Sequence, residues 1–145
     1  MHYAGFWKRL VALVIDTLVI LIASGVIGLA LGIVMAVTAP IDQLGVGELL
    51  ANLSGLLLGW FYYAGFESSP AQATPGKQLL GLRVTDLGGQ PIGFGRASGR
   101  YFARILSSLI LMIGYLMAAF TARKQSLHDL LSGCLVVSGK ADASP

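Results

Sequence analysis

Two long apolar segments dominate the first half of the chain. Residues 17–37 carry no formal charge, and residues 48–66 carry only that of Glu48. A helix needs about 20 mainly apolar residues to cross a hydrocarbon core of roughly 30 Å. The pattern therefore predicts two transmembrane helices, at about 9–37 and about 48–66, joined by a polar turn.

The second half of the chain has a different periodicity. Residues 79–94 form two short apolar runs around Gly88 and Gly89, which predicts a β hairpin. The elements predicted after it are an amphipathic and then hydrophobic helix, a short helix, a strand and a flexible tail, at about 95–122, 126–132, 134–138 and 139–145. We therefore expect an all-α integral membrane protein with a small cytoplasmic β element, in a single domain at residues 1–138.

The topology of the third hydrophobic helix has two alternatives. Residues 105–122 would measure about 27 Å as a helix, enough to span once. That crossing would place Arg123 and Lys124 outside, against the positive-inside trend. A helix broken near Gly114 would instead dip and return, and residues 134–138 would then pair with residues 82–84.

Charge and composition indicate a membrane location. The chain is 55% hydrophobic and 12% charged, whereas soluble domains contain about 25% charged residues. Aromatic and basic residues at positions 3–9, and the absence of Lys and Arg from residues 38–47, predict a cytoplasmic N-terminus. We expect a multi-pass protein of the bacterial inner (cytoplasmic) membrane. A cleaved signal peptide is disfavoured because its apolar region would be only about 7–15 residues long.

The remaining composition limits the possible partners. The net charge of +3 comes from basic residues that border apolar segments, so we expect the lipid bilayer as a partner and no nucleic acid. Cys134 is the only cysteine, and His2 lies far along the chain from His128. The sequence therefore predicts no internal disulfide, no metal site and no cofactor.

Small residues recur every fourth position in both predicted spans. Such stripes let two helix backbones approach closely in lipid. We expect them to form the contact face of an antiparallel helix pair and to support a homo-oligomer or a complex with another membrane protein. The stripe residues are Ser24, Gly28, Gly32, Ala51, Gly55 and Gly59.

Asp16 is the most unusual residue in the first predicted span. If lipid begins near Leu10, the carboxylate lies about 9 Å deeper. Exposure to lipid there would cost on the order of several kcal/mol, so it must face protein or water, or be protonated. Arg9 is about 10.5 Å away along the helix axis, which makes direct pairing strained. The expected partners are Arg104 or Arg100 for Asp16, and Asp129 or Glu67 for Arg9.

Two other charged groups each have two interpretations. Arg96, Arg100 and Arg104 form one helical stripe, which either rests among anionic headgroups or pairs with Asp16. His128 and Asp129 resemble a catalytic dyad, but adjacent helical residues point about 100° apart and no Gly-x-Ser-x-Gly motif accompanies them. We therefore predict no catalytic residue and no enzyme.

Three motifs together resemble one family. These are Arg9 with Asp16, residues 74–84 (TPGKQLLGLRV) and residues 125–129 (QSLHD). Over about residues 3–138 the chain resembles the RDD family, small bacterial membrane proteins named for one arginine and two aspartates. The resemblance assigns these positions to Arg9, Asp16 and Asp129. It departs at Gln78, where the family often has a basic residue, and at Gly133-Cys134, where it often has Gly-Thr.

The activity that the resemblance implies is broad, because the family's function is largely undefined and cation/proton exchange is suggested for some members. Two hypotheses follow. The first is a membrane scaffold or partner-binding module with a buried Asp–Arg network. The alternative is an oligomeric exchanger of a monovalent cation or proton that uses Asp16, with oxygen ligands from Asn52 and Ser54.

Overall fold

The computed structural model describes residues 2–38, 40, 43–109 and 113–139. Helices predominate, and a small sheet joins them. In chain order the elements are β1 (His2–Tyr3), α1 (Phe6–Thr38), α2 (Leu44–Glu67), α3 (Pro75–Leu79), β2 (Leu82–Asp86), α4 (Phe94–Leu109), α5 (Ile113–Phe120), α6 (Leu127–Ser132) and β3 (Cys134–Ser138). All but the first residue of the predicted tail lies outside the described residues.

Helices α1 and α2 are the candidate membrane-spanning helices, and we call them the anchors. Within the described ranges, they are the two helices long and apolar enough to cross a membrane. Apolar side chains such as Leu21, Ile22 and Leu29 are exposed along α1. A helix that presents apolar side chains around most of its surface is suited to lipid. Both helices begin a few residues earlier than the apolar pattern predicted.

The two anchors run antiparallel. Near one end Met35 of α1 contacts Gly47 of α2, and near the other end Tyr62 of α2 donates a hydrogen bond to Asp16 of α1. Between these contacts a groove of about 270 Å³ separates part of the helix pair, and Met35 is one of its walls. The antiparallel pair was predicted, but bulky side chains such as Met35 hold the backbones apart along this part of the interface.

The small-residue stripes face each other across this groove, since Gly28 and Gly32 of α1 and Ala51 of α2 all line it. A Cβ added at Gly28, Gly32 or Gly55 would meet no atom within 4 Å. Gly59 does have a close neighbour, but it is the hydroxyl of Tyr101 in α4, 2.6 Å from such a Cβ. Gly59 thus makes room for α4, whereas the close backbone approach expected of the stripes is not seen at the other three glycines.

The sheet lies at the end of the anchors where α1 begins and α2 ends. Its order is β1-β3-β2, and both pairs are antiparallel, with Val137 opposite Arg83 on one side and Tyr3 on the other. Its buried face packs on small residues of both anchors. The core members are Ala4, Ala12, Ala64, Leu82, Val84, Ile92, Ala97, Cys134 and Val136. We call β1–β3 together with α3, α4 and α6 the headpiece.

The predicted hairpin at residues 79–94 is wrong in its second arm. Asp86 ends β2 and turns the chain, because its carboxylate accepts backbone hydrogen bonds from Gly88 and Gln90, both at 2.8 Å. Residues 91–93 do not form a strand. The edge of β2 that a second arm would use is occupied at Val84, whose N–H donates to the carbonyl of Gln72 at 2.7 Å.

The third hydrophobic segment contains the end of α4 and the whole of α5, which lie on either side of residues 110–112. Helix α5 has 8 described residues, about 12 Å in length, which is less than a bilayer crossing requires. The predicted break near Gly114 lies next to residues 110–112, which are outside the described residues. Because β1 and β3 are neighbours in one sheet, residues 2–3 and 134–138 lie at the same end of the anchors.

Candidate functional site

Asp16 is buried and bonded to three neutral donors. Its side chain faces the headpiece, and the residue is 1% exposed. Oδ1 accepts hydrogen bonds from the hydroxyl of Tyr62 at 2.9 Å and the backbone N–H of Gly76 at 2.8 Å. Oδ2 accepts one from the hydroxyl of Thr74 at 2.6 Å. The predicted desolvation cost of this acid is thus offset by hydrogen bonds.

These contacts make Asp16 the cap of a helix that belongs to another part of the chain. Thr74 occupies the N-cap position of α3 and Pro75 follows it, but the Thr74 side chain does not cap its own helix. The carboxylate of Asp16 instead accepts a hydrogen bond from the N–H of Gly76 in the first turn of α3, where the helix dipole favours negative charge. Asp16 thereby fixes α3 against α1.

Gly76 permits this close approach. A Cβ added there would lie 2.5 Å from the backbone oxygen of Ala12 and 2.8 Å from Oδ1 of Asp16. Any side chain would push α3 off α1. Glycine is therefore needed at this position for space.

The predicted pairing of Asp16 with Arg104 or Arg100 is wrong. Arg104 donates through Nη2 to Oε1 of Glu67 at 3.4 Å, and its guanidinium lies 4.0 Å from the ring centre of Tyr63. Arg100 binds Glu67 and Asp129. The reason is positional, since α3 fills the space beside Asp16 and supplies its donors from neutral groups.

Asp129 is fully buried and is the acceptor for two arginines. Arg9 donates to its Oδ2, and Arg100 donates to Oδ1 through Nε at 2.9 Å and Nη2 at 2.6 Å. Asp129 also forms a capping box with Ser126 at the start of α6, and Gly133 ends that helix with φ near +63°. Of the two partners predicted for Arg9, the structure selects Asp129.

Glu67, at the end of α2, is the second buried acceptor. Arg100 donates to its Oε2 at 2.6 Å, and Lys77 of α3 donates to its Oε1. Arg100 therefore joins α4 to both α2 and α6 through two carboxylates. The burial of Arg100 excludes the alternative that its charge rests among lipid headgroups. Arg96 is half exposed, and its Nη1 lies 3.9 Å from Oδ2 of Asp86.

The headpiece groups of this network have displaced pKa values. Burial alone would raise the pKa of Asp129, but Arg100, and then His128 and Arg9, hold that pKa well below its usual range. For Lys77, burial and then repulsion from Arg100 lower the pKa to about 7, although Glu67 opposes the shift. The carboxylate of Asp129 is thus ionised at neutral pH, while Lys77 is poised to lose its proton.

A cavity of about 220 Å³ adjoins the network. Its charged lining comes from four basic side chains and one acid, and its remaining wall is mainly apolar. The charged lining residues are Arg9, Asp16, Lys77, Arg100 and Arg104. This cavity brings Arg9 and Asp16 together around one space, while Asp129 lies behind Arg9 and Arg100.

Other candidate groups lie nearby without forming a metal site. In the described ranges no cluster of three or more His, Cys, Asp or Glu side chains is placed to hold a metal ion. The His128 ring turns back so that Nε2 lies 3.6 Å from Oδ1 of Asp129, closer than the 100° helical offset suggested. Cys134 is a buried thiol in the sheet. Asn52 is exposed, and Ser54 donates to the carbonyl of Ala51 in its own helix, so neither contributes to Asp16.

Sequence reasoning missed four contributors to the site. Tyr62, Thr74 and Gly76 hold Asp16, and Lys77 binds Glu67. A signal for part of this was present, because a threonine followed by proline is a common helix start. Nothing local to the sequence indicates that an acid from another helix completes that start.

Comparison with known proteins identifies relatives across most of the chain. The RDD family matches residues 3–133. "Uncharacterized protein YxaI" of Bacillus subtilis (strain 168) is 32% identical, over 92% of this chain and 96% of that protein. "Uncharacterized membrane protein YteJ" of the same organism is 28% identical, over 95% of this chain and 82% of that one.

A second group of relatives is longer. "Proline-rich antigen homolog" of Mycobacterium tuberculosis (strain ATCC 25618 / H37Rv) is 33% identical over 58% of this chain, and the match spans 36% of that protein. No solved structure matches the chain. The family match and the alignment with YxaI over most of both chains, together with Arg9, Asp16 and Asp129 in the site, show that this chain belongs to the RDD family of membrane proteins.

Proposed function

We propose that the protein is a membrane scaffold or partner-binding module, anchored by α1 and α2 and presenting the headpiece at one membrane surface. The observation that carries this proposal is that the three carboxylates buried in the described part of the chain are all engaged by internal donors. Asp16 holds α3, while Glu67 and Asp129 hold α4 and α6. Breaking a buried ion pair is strongly destabilising, so such a network favours one fixed arrangement.

The exchanger alternative has weaker support from the geometry. A cation that approached Asp16 through the cavity would meet four basic side chains, and at an effective dielectric of 20 one charge 4 Å away contributes about 4 kcal/mol of repulsion. Both oxygens of Asp16 already accept short hydrogen bonds. Cation binding would require these bonds to open.

A catalytic role is also not proposed. Ser126 is 2% exposed, and its hydroxyl donates to Asp129 in the capping box at 2.9 Å. The same hydroxyl lies 3.0 Å from Nε2 of His128, but we propose that its bond to Asp129 in the capping box gives it a structural role.

For orientation, we propose that the headpiece is cytoplasmic. Lys8 and Arg9 begin the first anchor, and the turn at residues 38–47 lacks Lys and Arg, which is the bias expected of an outer loop. A second copy or another membrane protein is the proposed partner of the anchors, because Gly28 and Gly55 leave room for a neighbouring helix. A reporter fused after residue 145 tests the orientation, and the mass of the complex in mild detergent tests the assembly.

Ion flux in reconstituted vesicles separates the scaffold from the exchanger. Full-length protein is reconstituted with a trapped pH indicator, and sodium or potassium gradients are imposed. We expect the wild-type protein and Asp16→Asn to give the proton flux of empty vesicles. Glu48→Gln serves as the matched control, because it makes the same chemical change at an exposed acid.

A cation-driven proton flux in the wild type that disappears in Asp16→Asn but persists in Glu48→Gln would overturn the scaffold proposal. The comparison holds only for variants with wild-type mass and wild-type unfolding temperature in detergent, and both are measured on the same preparations.

A further inference from the structure

Helix α4 buries its charged face and exposes its apolar face. Arg100 and Arg104 are buried in the ion-pair network, whereas Phe102 and Leu106 are each 49% exposed and Leu109 is 75% exposed. A helix at a water-exposed surface does the reverse, burying its apolar stripe and presenting its charges outwards. The arrangement in α4 is the one expected of a helix whose surroundings are apolar.

The exposed apolar side chains of α4 form one continuous stripe. Phe102, Leu106 and Leu109 follow one another at spacings of four and three residues, which places them on one face of the helix. Gly95 and Gly99 extend the same spacing towards the start of the helix, and a Cβ added at either would meet no atom within 4 Å. None of these five positions is charged. A contiguous apolar surface of this kind marks a contact with a membrane or with another protein.

The stripe is continuous with the exposed face of α2. The ring centre of Trp60 lies 5.8 Å from that of Phe102 and 6.0 Å from that of Phe94, and Phe61 stacks on Trp60 at 5.0 Å. Phe61 is itself exposed. Trp60 donates through Nε1 to the hydroxyl of Ser98 at 2.9 Å, so its polar atom is bonded within the protein. The aromatic cluster therefore joins the stripe of α4 to the apolar surface of the second anchor.

The contacts with α2 also place α4 below the end of that anchor. Glu67 is the last residue of α2, whereas Tyr101 donates to the carbonyl of Leu56 at 3.1 Å. Since a helix rises about 1.5 Å per residue, Leu56 and Trp60 lie roughly 16 and 10 Å before Glu67 along its axis. Phe102, which packs on Trp60, is therefore level with the apolar part of the anchor and not with its polar end.

We propose that α4 lies within the lipid layer, with Phe102, Leu106 and Leu109 against the acyl chains and its buried arginines turned onto the ion-pair network. Lipid is the occupant of the stripe because the stripe continues the surface of an anchor at the same depth. The helix thereby separates the buried charges from the hydrocarbon, where a charge without a protein partner is costly. Arg96, which is half exposed, lies in the first turn, from which its long side chain reaches towards the headgroups.

Fluorescence quenching in vesicles tests the contact with lipid. The full-length protein, with a single cysteine in a Cys134→Ser background, is labelled with bimane and reconstituted in phosphatidylcholine. Phe102→Cys and Leu106→Cys probe the stripe, Leu57→Cys is the matched reference on the exposed face of α2, and Ala71→Cys is the reference in the loop after α2. The two quenchers are phosphatidylcholine with a nitroxide on its acyl chain, and iodide in the aqueous phase.

The stripe should behave like the anchor and unlike the loop. We expect the nitroxide to quench the labels at positions 102 and 106 at least about half as strongly as the label at position 57, which lies in a helix long enough to span the bilayer. Iodide should quench the label at position 71 at least about twofold more strongly than the labels at positions 102 and 106, because a charged quencher does not enter the hydrocarbon.

Two results would overturn the proposal. Quenching of positions 102 and 106 by iodide and not by the nitroxide would show that the stripe faces water. Protection of these positions from both quenchers would show that a second copy or another protein covers the stripe. Each labelled variant must keep the wild-type unfolding temperature in detergent, and Leu109→Cys replaces a stripe variant that fails to fold.

This inference goes beyond the scaffold proposal, because it assigns a lipid-contacting surface to the headpiece. Quenching by the nitroxide at position 57 but not at the stripe would overturn only the placement of α4. Absence of quenching at position 57 as well would overturn the assignment of α2 as an anchor together with the placement of α4.

Discussion

At the scale of single residues, Asp16 shows how a buried acid is accommodated without a cation. Its three donors are two hydroxyls and one backbone N–H, from positions 46, 58 and 60 residues away. Hydrogen bonds to a charged acceptor are worth about 1.5–3 kcal/mol each, which is enough to offset much of the desolvation. The sequence indicated that Asp16 needs a partner, but the nearest charged candidates along later helices were the wrong ones.

Lys77 is expected to make stability depend on pH. Its pKa falls from 10.5 in the free side chain to about 7 in the folded protein, so between these values the unfolded chain binds the extra proton. The free energy of unfolding, taken as the difference between the wild type and Lys77→Met, should therefore rise between about pH 7 and pH 10.5, by up to about 1.4 kcal/mol per pH unit. Denaturant titrations in detergent at several pH values measure this slope.

The control for this titration is Lys124→Met, which removes an exposed lysine. The Lys77→Met slope is read against the pH profile of this variant, which shares the loss of one lysine charge. Parallel pH profiles for the wild type and Lys77→Met would contradict the assignment of a lowered pKa to Lys77.

At the scale of elements, the sequence predicted the helices whose ends are fixed by neighbouring residues better than the strand pairs that form between distant residues. The short helix predicted at about 126–132 is present as α6, which the Ser126–Asp129 capping box begins and Gly133 ends. The paired arm of the hairpin was not predictable in this way, because Gln72, a residue outside any strand, takes the edge of β2 at Val84. Helix α3 was missed because its five residues are too few for a periodic pattern, and its cap is Asp16 of α1.

The contact between α3 and α1 depends on Gly76. Gly76→Ala should lower the free energy of unfolding by about 1–3 kcal/mol, because the new methyl group would overlap the carbonyl of Ala12 and displace the hydrogen bond to Asp16. Gly99→Ala is the matched control, since α4 leaves open space there and alanine favours a helix by up to about 1 kcal/mol. Denaturant titration compares the two variants, and equal effects would contradict the close approach.

At the scale of the whole molecule, hydropathy predicted the two anchors but not how the headpiece closes on them. The ion pairs of the network join residues from 10 to 120 positions apart, and several basic residues compete for each acid. The spacing of residues along one helix does not identify the partner of each acid, because the partners lie on other elements that come together only in the folded protein. The family motif marked Arg9, Asp16 and Asp129, whereas the different donors that bind Asp16 and Asp129 required coordinates.

The pairing of β1 with β3 predicts that cysteines placed at positions 3 and 137 form a disulfide. In a Cys134→Ser background, Tyr3→Cys and Val137→Cys should form a disulfide on mild oxidation, because opposite residues in an antiparallel pair lie about 4.5–5.5 Å apart at Cα. Electrophoresis with and without reductant measures the linked fraction. The pair Tyr3→Cys and Leu87→Cys, which β1 does not face, is the control. Absence of the first cross-link would place β1 and β3 apart.

The central position of β3 in the sheet has a consequence for biosynthesis. The ribosome synthesises Arg9 and both anchors before it synthesises Asp129 and β3, the strand that pairs with both β1 and β2. Until then Arg9 lacks the carboxylate that binds it in the folded protein, and Arg100 has only Glu67 of its two acids. Maturation of the protein is therefore completed after translation of residues 126–138, and a nascent chain arrested earlier would expose unsatisfied cations to proteolytic quality control.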